Sequence, residues 1–172
     1  MKKISSTRQH PRSPMSYAKE LSKIFGQHNL KEYSANDVEY EWLEGEDSRC
    51  VLIENENPGK NVRITLEYWE ITLAFGAMHT HYEYSNEGFE KVISIVKGIL
   101  EGELCAVSLS DLSGEWFGDC LLKKEKTDAD VKEIFSSVFS HKCFYNKLTR
   151  SGYVAVFLFW SPEYDKTVKV MP

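Results

Sequence analysis

No apolar run in this 172-residue chain approaches the ~18 residues that a membrane-crossing helix needs. The longest, Val154 to Trp160, suits a buried strand. Cysteine is sparse: Cys50, Cys105, Cys120 and Cys143 form no Cys-x-x-Cys pair that would organise a zinc site. A domain of this size does not depend on disulfides, and three of the four stand beside apolar residues, so buried reduced thiols are expected. There is no Gly-x-Ser-x-Gly elbow to expose a nucleophilic serine, and Ser113-Gly114 reads as a turn. No Gly-rich phosphate loop followed by lysine occurs; Gly98 and Gly102 mark the end of a helix, which speaks against nucleotide binding. Strict β-α-β alternation is missing too, so a doubly wound nucleotide fold is not expected. The first 14 residues carry Lys2, Lys3, Arg8 and Arg12 but lack the apolar segment of a secretory signal, and are predicted to be a flexible basic tail on a cytoplasmic protein.

What is present fits one globular core. The chain is 42% apolar and 27% charged, close to the average for folded domains, and residues 15–172 read as a single α+β domain. The formal net charge of −5 conceals a division: residues 32–57 hold nine acids (Glu32, Asp37, Glu39, Glu41, Glu44, Glu46, Asp47, Glu54 and Glu56) against Arg49 alone. An acidic body of this kind disfavours nucleic acid as a partner.

Ser13 followed by Pro14 predicts a helix start, and Tyr17, Leu21, Ile24 and Phe25 share its apolar stripe. Residues 38–43 alternate charge with bulk and 49–54 form a short apolar run, which predicts a hairpin across 44–48. Val62 to Tyr68 alternates as a half-exposed strand. Residues 70–84 are too long for one strand of a small domain, and Gly76 is the natural place for a bulge or bend. The clearest helix covers 87–101, with Ser85 or Asn86 as cap and Gly102 as stop. Strands follow at 104–109 and 115–122, then a third helix from Thr127 with Asp130 as a capping pair, and a last hairpin of 143–148 with 153–160. The order predicts a mainly antiparallel sheet with about three helices covering one face.

His79, His81 and Glu83 share one face of a strand, which is the arrangement of a metal-binding or metal-dependent catalytic site, with His141 the one later histidine able to complete it. The spacing resembles the first cupin motif, yet Gly76 lies too close to His79, and the chain turns helical instead of continuing a barrel. An exposed sheet face and a partner-contacting face are the competing readings, and a break at Gly76 would turn the histidines outward and Met78 inward. In the acidic block Tyr33, Tyr40 and Trp42 interleave with carboxylates, as in a contact surface for a basic partner; a merely solvated face is the alternative.

Residues 71–84 (Ile-Thr-Leu-Ala-Phe-Gly-Ala-Met-His-Thr-His-Tyr-Glu-Tyr), the helix 87–100, Gly102-Glu-Leu-Cys-Ala-Val-Ser and Glu115-Trp-Phe-Gly-Asp together resemble small bacterial immunity-type proteins of toxin–immunity loci. The resemblance covers about residues 71–120. It implies a stoichiometric protein binder without turnover or cofactor, occupying a basic toxin domain, with an exposed Trp116. Glu39, Glu41, Trp42, Glu44 and Trp116 are the candidate partner-binding residues; no catalytic residue is expected.

Overall fold

The computed structural model describes residues 11–127 and 150–172. Within them the chain runs α1 (Pro14–Ile24), β1 (Leu30–Ser34), β2 (Arg49–Ile53), β3 (Val62–Leu66), β4 (Glu70–Phe75), β5 (Met78–Glu83), α2 (Asn86–Leu100), β6 (Leu104–Asp111), β7 (Trp116–Lys123), β8 (Tyr153–Leu158) and β9 (Lys166–Val170). The α+β class holds, built from two antiparallel sheets: a meander β1-β2-β3-β4-β5 and a four-stranded sheet ordered β7-β6-β8-β9. Two α-helices are present among the described residues. The predicted third helix beyond Thr127, the strand 143–148, His141 and Cys143 lie outside them.

Both helices begin as their sequences dictate. Ser13 Oγ accepts the Ser16 N–H ahead of Pro14, and Ser85 Oγ accepts the Gly88 N–H, so each serine satisfies one of the donors a helix start leaves free. Tyr17, Ala18 and Leu21 of α1 and Phe89, Val92, Val96 and Ile99 of α2 then bury against Val51, Ile53, Ile64, Leu73 and Phe75 on the inner face of the meander. Tyr17 stacks on Phe89 at 4.1 Å, and its hydroxyl donates to Asn86 Oδ1 at 2.7 Å, tying the helices together. The basic segment reaches the fold at Arg12. Its guanidinium lies 4.8 Å from the Tyr17 ring centre and pairs with Glu20, and its carbonyl accepts from the Tyr84 hydroxyl.

Of the bulge or bend expected at Gly76, the chain makes the bend. With φ +60° it opens a two-residue turn that pairs Phe75 with Met78, so β4 and β5 form a hairpin. The consequence for side chains is as expected: Met78 is buried, and His79, His81 and Glu83 face outward.

Two segments differ from the sequence reading. The strand expected at 38–43 is a short 3-10 turn, Val38–Tyr40, followed by irregular chain, and the partner of β2 is β1. Asp37 decides this locally. Its carboxylate accepts the Ser34 N–H at 2.6 Å, closing the chain into a turn where an extended strand would have to continue. At the other end β8 pairs with β6 and with β9, a strand with alternating lysines.

Two contacts between the sheets involve charged side chains drawn out of water. Lys60, in the β2–β3 turn, is 1% exposed; its Nζ lies 2.6 Å from Asp165 Oδ2 and donates to the Phe159 carbonyl at 2.9 Å. Asp165 Oδ1 in turn accepts the Phe159 N–H, so the ion pair is enclosed in hydrogen bonds. The second contact lies between the edge strands β5 and β7, where Asp119 accepts the His79 backbone N–H.

Candidate functional site: an acidic aromatic loop on the outer sheet face

Among the described residues, the helices cover one side of the meander. On its outer side the β1–β2 connection, residues 35–48, folds back over the strands. Tyr33 of β1 stacks on Tyr40 at 4.2 Å with ring planes 16° apart, Trp42 follows at 5.9 Å from Tyr40, and the Arg63 guanidinium of β3 lies 5.9 Å from the Trp42 ring centre. Offset ring stacking and a cation over an indole face hold the loop in one conformation. Leu43 buries behind it, the Ser48 hydroxyl donates to the Glu44 carbonyl, and the Glu44 N–H donates to Glu67 Oε1 at 3.2 Å.

Burial pushes the Cys50 thiol, on the outer side of β2, up to about 12, against the pull of Arg63 and a hydrogen bond with Thr65. Cys50 is thus an inert packing group. Burial, with the neighbouring Cys50, also raises the Tyr40 hydroxyl. Glu67 is a buried carboxylate raised above its usual range by desolvation, then by the nearby Glu70 and Glu44, with the Glu44 N–H opposing.

The loop's other face is open. Trp42 is 49% exposed, and Tyr68 and Trp69, in the β3–β4 turn the loop touches, are each 52% exposed. The Tyr68 hydroxyl donates to Asp47 Oδ2 at 2.9 Å, linking the turn to the loop. Glu39, Glu41, Glu44 and Glu46 are exposed and form no ion pair among the described residues. The block's arginine is engaged elsewhere: Arg49 donates to the Glu46 and Ser48 carbonyls at 2.9 and 2.7 Å and lies 3.4 Å from Glu32. Glu39, Glu41, Trp42 and Glu44 are thus all exposed on one loop. Trp116 is 57% exposed at the start of β7, in the other sheet. Sequence reasoning passed over Tyr68 and Trp69, whose adjacent aromatics between two strands were the available signal.

The histidines lie beside this surface on β5. His81 Nδ1 is 3.1 Å from Glu70 Oε1 and 3.2 Å from Thr72 Oγ1, and His79 meets His81 edge to face at 5.5 Å. Threonine and carboxylate crowd the same ring nitrogen, whereas a nucleophilic relay needs them on opposite nitrogens. Among the described residues no three His, Cys, Asp or Glu side chains converge as a metal site, so His79, His81 and Glu83 share a face without forming a ligand set.

A smaller recess opens where β5 and β7 abut. It holds about 300 Å³ between Met78, Thr80 and Tyr82 on one side and Asp119, Cys120 and Leu121 on the other, with His79 at its rim. Among the described residues, Asp119 Oδ2 is the one buried side-chain oxygen or nitrogen without a hydrogen-bond partner. Burial raises its carboxyl, while the charge and N–H of His79 pull it down. Comparison with protein-family models, with curated proteins and with solved structures finds no match to this chain.

Proposed function

We propose that this chain is a non-catalytic protein-binding module whose acidic aromatic loop receives a basic protein surface. The supporting observation is the pre-ordered loop: Tyr33, Tyr40 and Arg63 fix Trp42 half-exposed among four carboxylates that have no cation of their own among the described residues. Exposed aromatics anchor interfaces, and charges of one sign around them speed association and select the partner. An anchor ordered before binding loses less conformational entropy on binding than a mobile one. The resemblance of residues 71–120 to immunity-type proteins makes a basic toxin domain, of the kind that acts on nucleic acid through a cationic cleft, the partner class.

The test is capture of a basic toxin domain encoded beside this chain, then titration of the purified pair. Joint replacement of Glu39, Glu41 and Glu44 by lysine should weaken binding by at least tenfold while circular dichroism stays unchanged, and wild-type affinity should fall steeply with salt. Binding that survives the reversal and ignores salt would remove the loop from the interface. The metal reading is the alternative; its test is stoichiometric zinc, iron or manganese in the purified protein, lost in His81→Ala.

A further inference from the structure

The β3–β4 hairpin closes on two residues, Tyr68 and Trp69: the Glu67 N–H donates to the Glu70 carbonyl at 3.0 Å, and the Glu70 N–H to the Glu67 carbonyl at 3.2 Å. Loops this short favour asparagine and glycine, and neither residue here has a positive φ, so nothing in the turn's geometry calls for two large, half-exposed rings. Tyr68 is tied down, its hydroxyl donating to Asp47 and its ring lying 5.7 Å from that of Tyr84. The Trp69 side chain has no hydrogen bond, ring neighbour or cation among the described residues. Several other accessible rings are covered by the chain's own cations: Arg63 lies 5.9 Å from the Trp42 ring centre, Lys124 lies 3.8 Å from that of Tyr164, and Lys91 lies 5.5 Å from that of Tyr82. Around the bare Trp69 there are carboxylates instead. Glu67 and Glu70 bracket the turn, Asp47 is bonded to Tyr68, and the Glu44 N–H reaches Glu67 Oε1. Of these four acids Glu70 meets His81, and none pairs with a lysine or arginine among the described residues. Trp116 is exposed as well, yet its chain neighbours are one acid and one ring, Glu115 and Phe117. An indole face attracts cations, neighbouring carboxylates raise their local concentration, and a planar, weakly hydrated guanidinium stacks on the ring better than an ammonium does.

We propose that Trp69 receives one arginine of the protein partner, the guanidinium stacking on the indole within the field of Glu44, Asp47, Glu67 and Glu70. The proposal rests on the protein-binding reading and deepens it. Trp42 already has Arg63 at its ring, so the β3–β4 turn tells arginine from lysine, while the carboxylates of the loop attract either.

The probes are hexaarginine, hexalysine and the neutral hexacitrulline, titrated into the full chain and followed by NMR of the indole N–H signals of its four tryptophans. Hexaarginine should shift the Trp69 signal saturably and bind about threefold more tightly than hexalysine, while hexacitrulline leaves the signal in place. Trp69→Leu, an exposed change that keeps an apolar side chain, should abolish the preference for arginine, and Trp42→Leu should retain it. No saturable shift at Trp69, equal affinity for the two cationic peptides, a preference that survives Trp69→Leu, or a matching shift with hexacitrulline would each overturn the proposal. So would a fluorescence blue shift on adding phosphatidylserine vesicles that Trp69→Leu removes, since it would reassign the turn to a membrane surface. The titration needs no partner protein, and both cationic peptides are attracted to the loop. Loss of the arginine preference alone therefore leaves the acidic loop standing, whereas failure of the Glu39/Glu41/Glu44 reversal would leave Trp69 as an arginine site without that interface.

Discussion

Lys60 and Asp119 both sit where the two sheets touch, one buried and the other half-buried, and they treat a charge withdrawn from water in opposite ways. Lys60 has its ammonium enclosed by Asp165 and the Phe159 carbonyl, and Asp165 returns a hydrogen bond to the same peptide. Asp119 accepts the His79 N–H, and its Oδ2 is shut off from water without a donor. The first is a closed junction and the second an incomplete one. A completed ion pair fixes geometry, whereas an incomplete one carries an uncompensated desolvation cost.

The sharpest way to break this comparison is Lys60→Ala. It should cost about 3–5 kcal/mol, since it leaves the Phe159 carbonyl and Asp165 unpaired and a cavity behind. Lys60→Met, which keeps the volume, should cost about 1–3 kcal/mol. Chemical denaturation measures both, and a loss below about 1 kcal/mol for the alanine variant would mean that the junction does not hold the sheets.

Gly76 is next. A side chain there meets positive φ and places its Cβ 2.5 Å from Leu158 Cδ2 across the sheet junction. Gly76→Ala should destabilise by about 1–2 kcal/mol, the backbone share remaining even if Leu158 rotates away. A thermal melt with unchanged midpoint would contradict the strained turn.

Asp119→Asn should be neutral or stabilising by up to about 1 kcal/mol, because the amide keeps an acceptor for His79 and removes a desolvated charge. A clear loss of stability would show that Oδ2 is satisfied in solution, which would close the distinction from Lys60. Glu67→Gln tests an intermediate case, a buried carboxylate with one backbone donor. Burial raises Glu67 above its ordinary 4.5, so the folded chain holds that proton to higher pH than the unfolded chain. The group's contribution to stability is greatest below 4.5 and declines as pH rises through the folded value. The glutamine variant should lack this decline and be slightly more stable at neutral pH, as melts between pH 4 and 7 would show.

Local chemistry made much of the fold legible. Ser13-Pro14 and Ser85 announce both helices because capping acts within a single turn, and Gly76 marks the reversal that turns the histidines outward. Residues 38–43 misled for a physical reason: Val-Glu-Tyr-Glu-Trp-Leu has the period of a strand, but Tyr40 and Trp42 pack on Tyr33 and Arg63 of the strands beneath them rather than in a ladder. β1 and β9, Leu-Lys-Glu-Tyr-Ser and Lys-Thr-Val-Lys-Val, carry too few apolar residues to announce burial because each is an edge strand. Of the proposed contact surface, Glu39, Glu41, Trp42 and Glu44 were visible in the sequence. Asp119 and Lys60 were not, since nothing in Phe-Gly-Asp-Cys-Leu or Pro-Gly-Lys says that a second sheet lies opposite.

The arrangement of edges has a consequence for solubility under stress. The outer edges β1 and β9 bear Lys31, Glu32, Lys166 and Lys169, charges that discourage strands of other molecules from adding on. The inner edges β5 and β7 are shielded by lying against each other, and β7 reads Trp-Phe-Gly-Asp-Cys-Leu-Leu with a single charge before Lys123. Parting the sheets bares that sticky edge before either sheet has unfolded, so the Lys60 junction also acts as a guard against aggregation. A variant that weakens it should precipitate on heating at temperatures where its secondary structure is still intact.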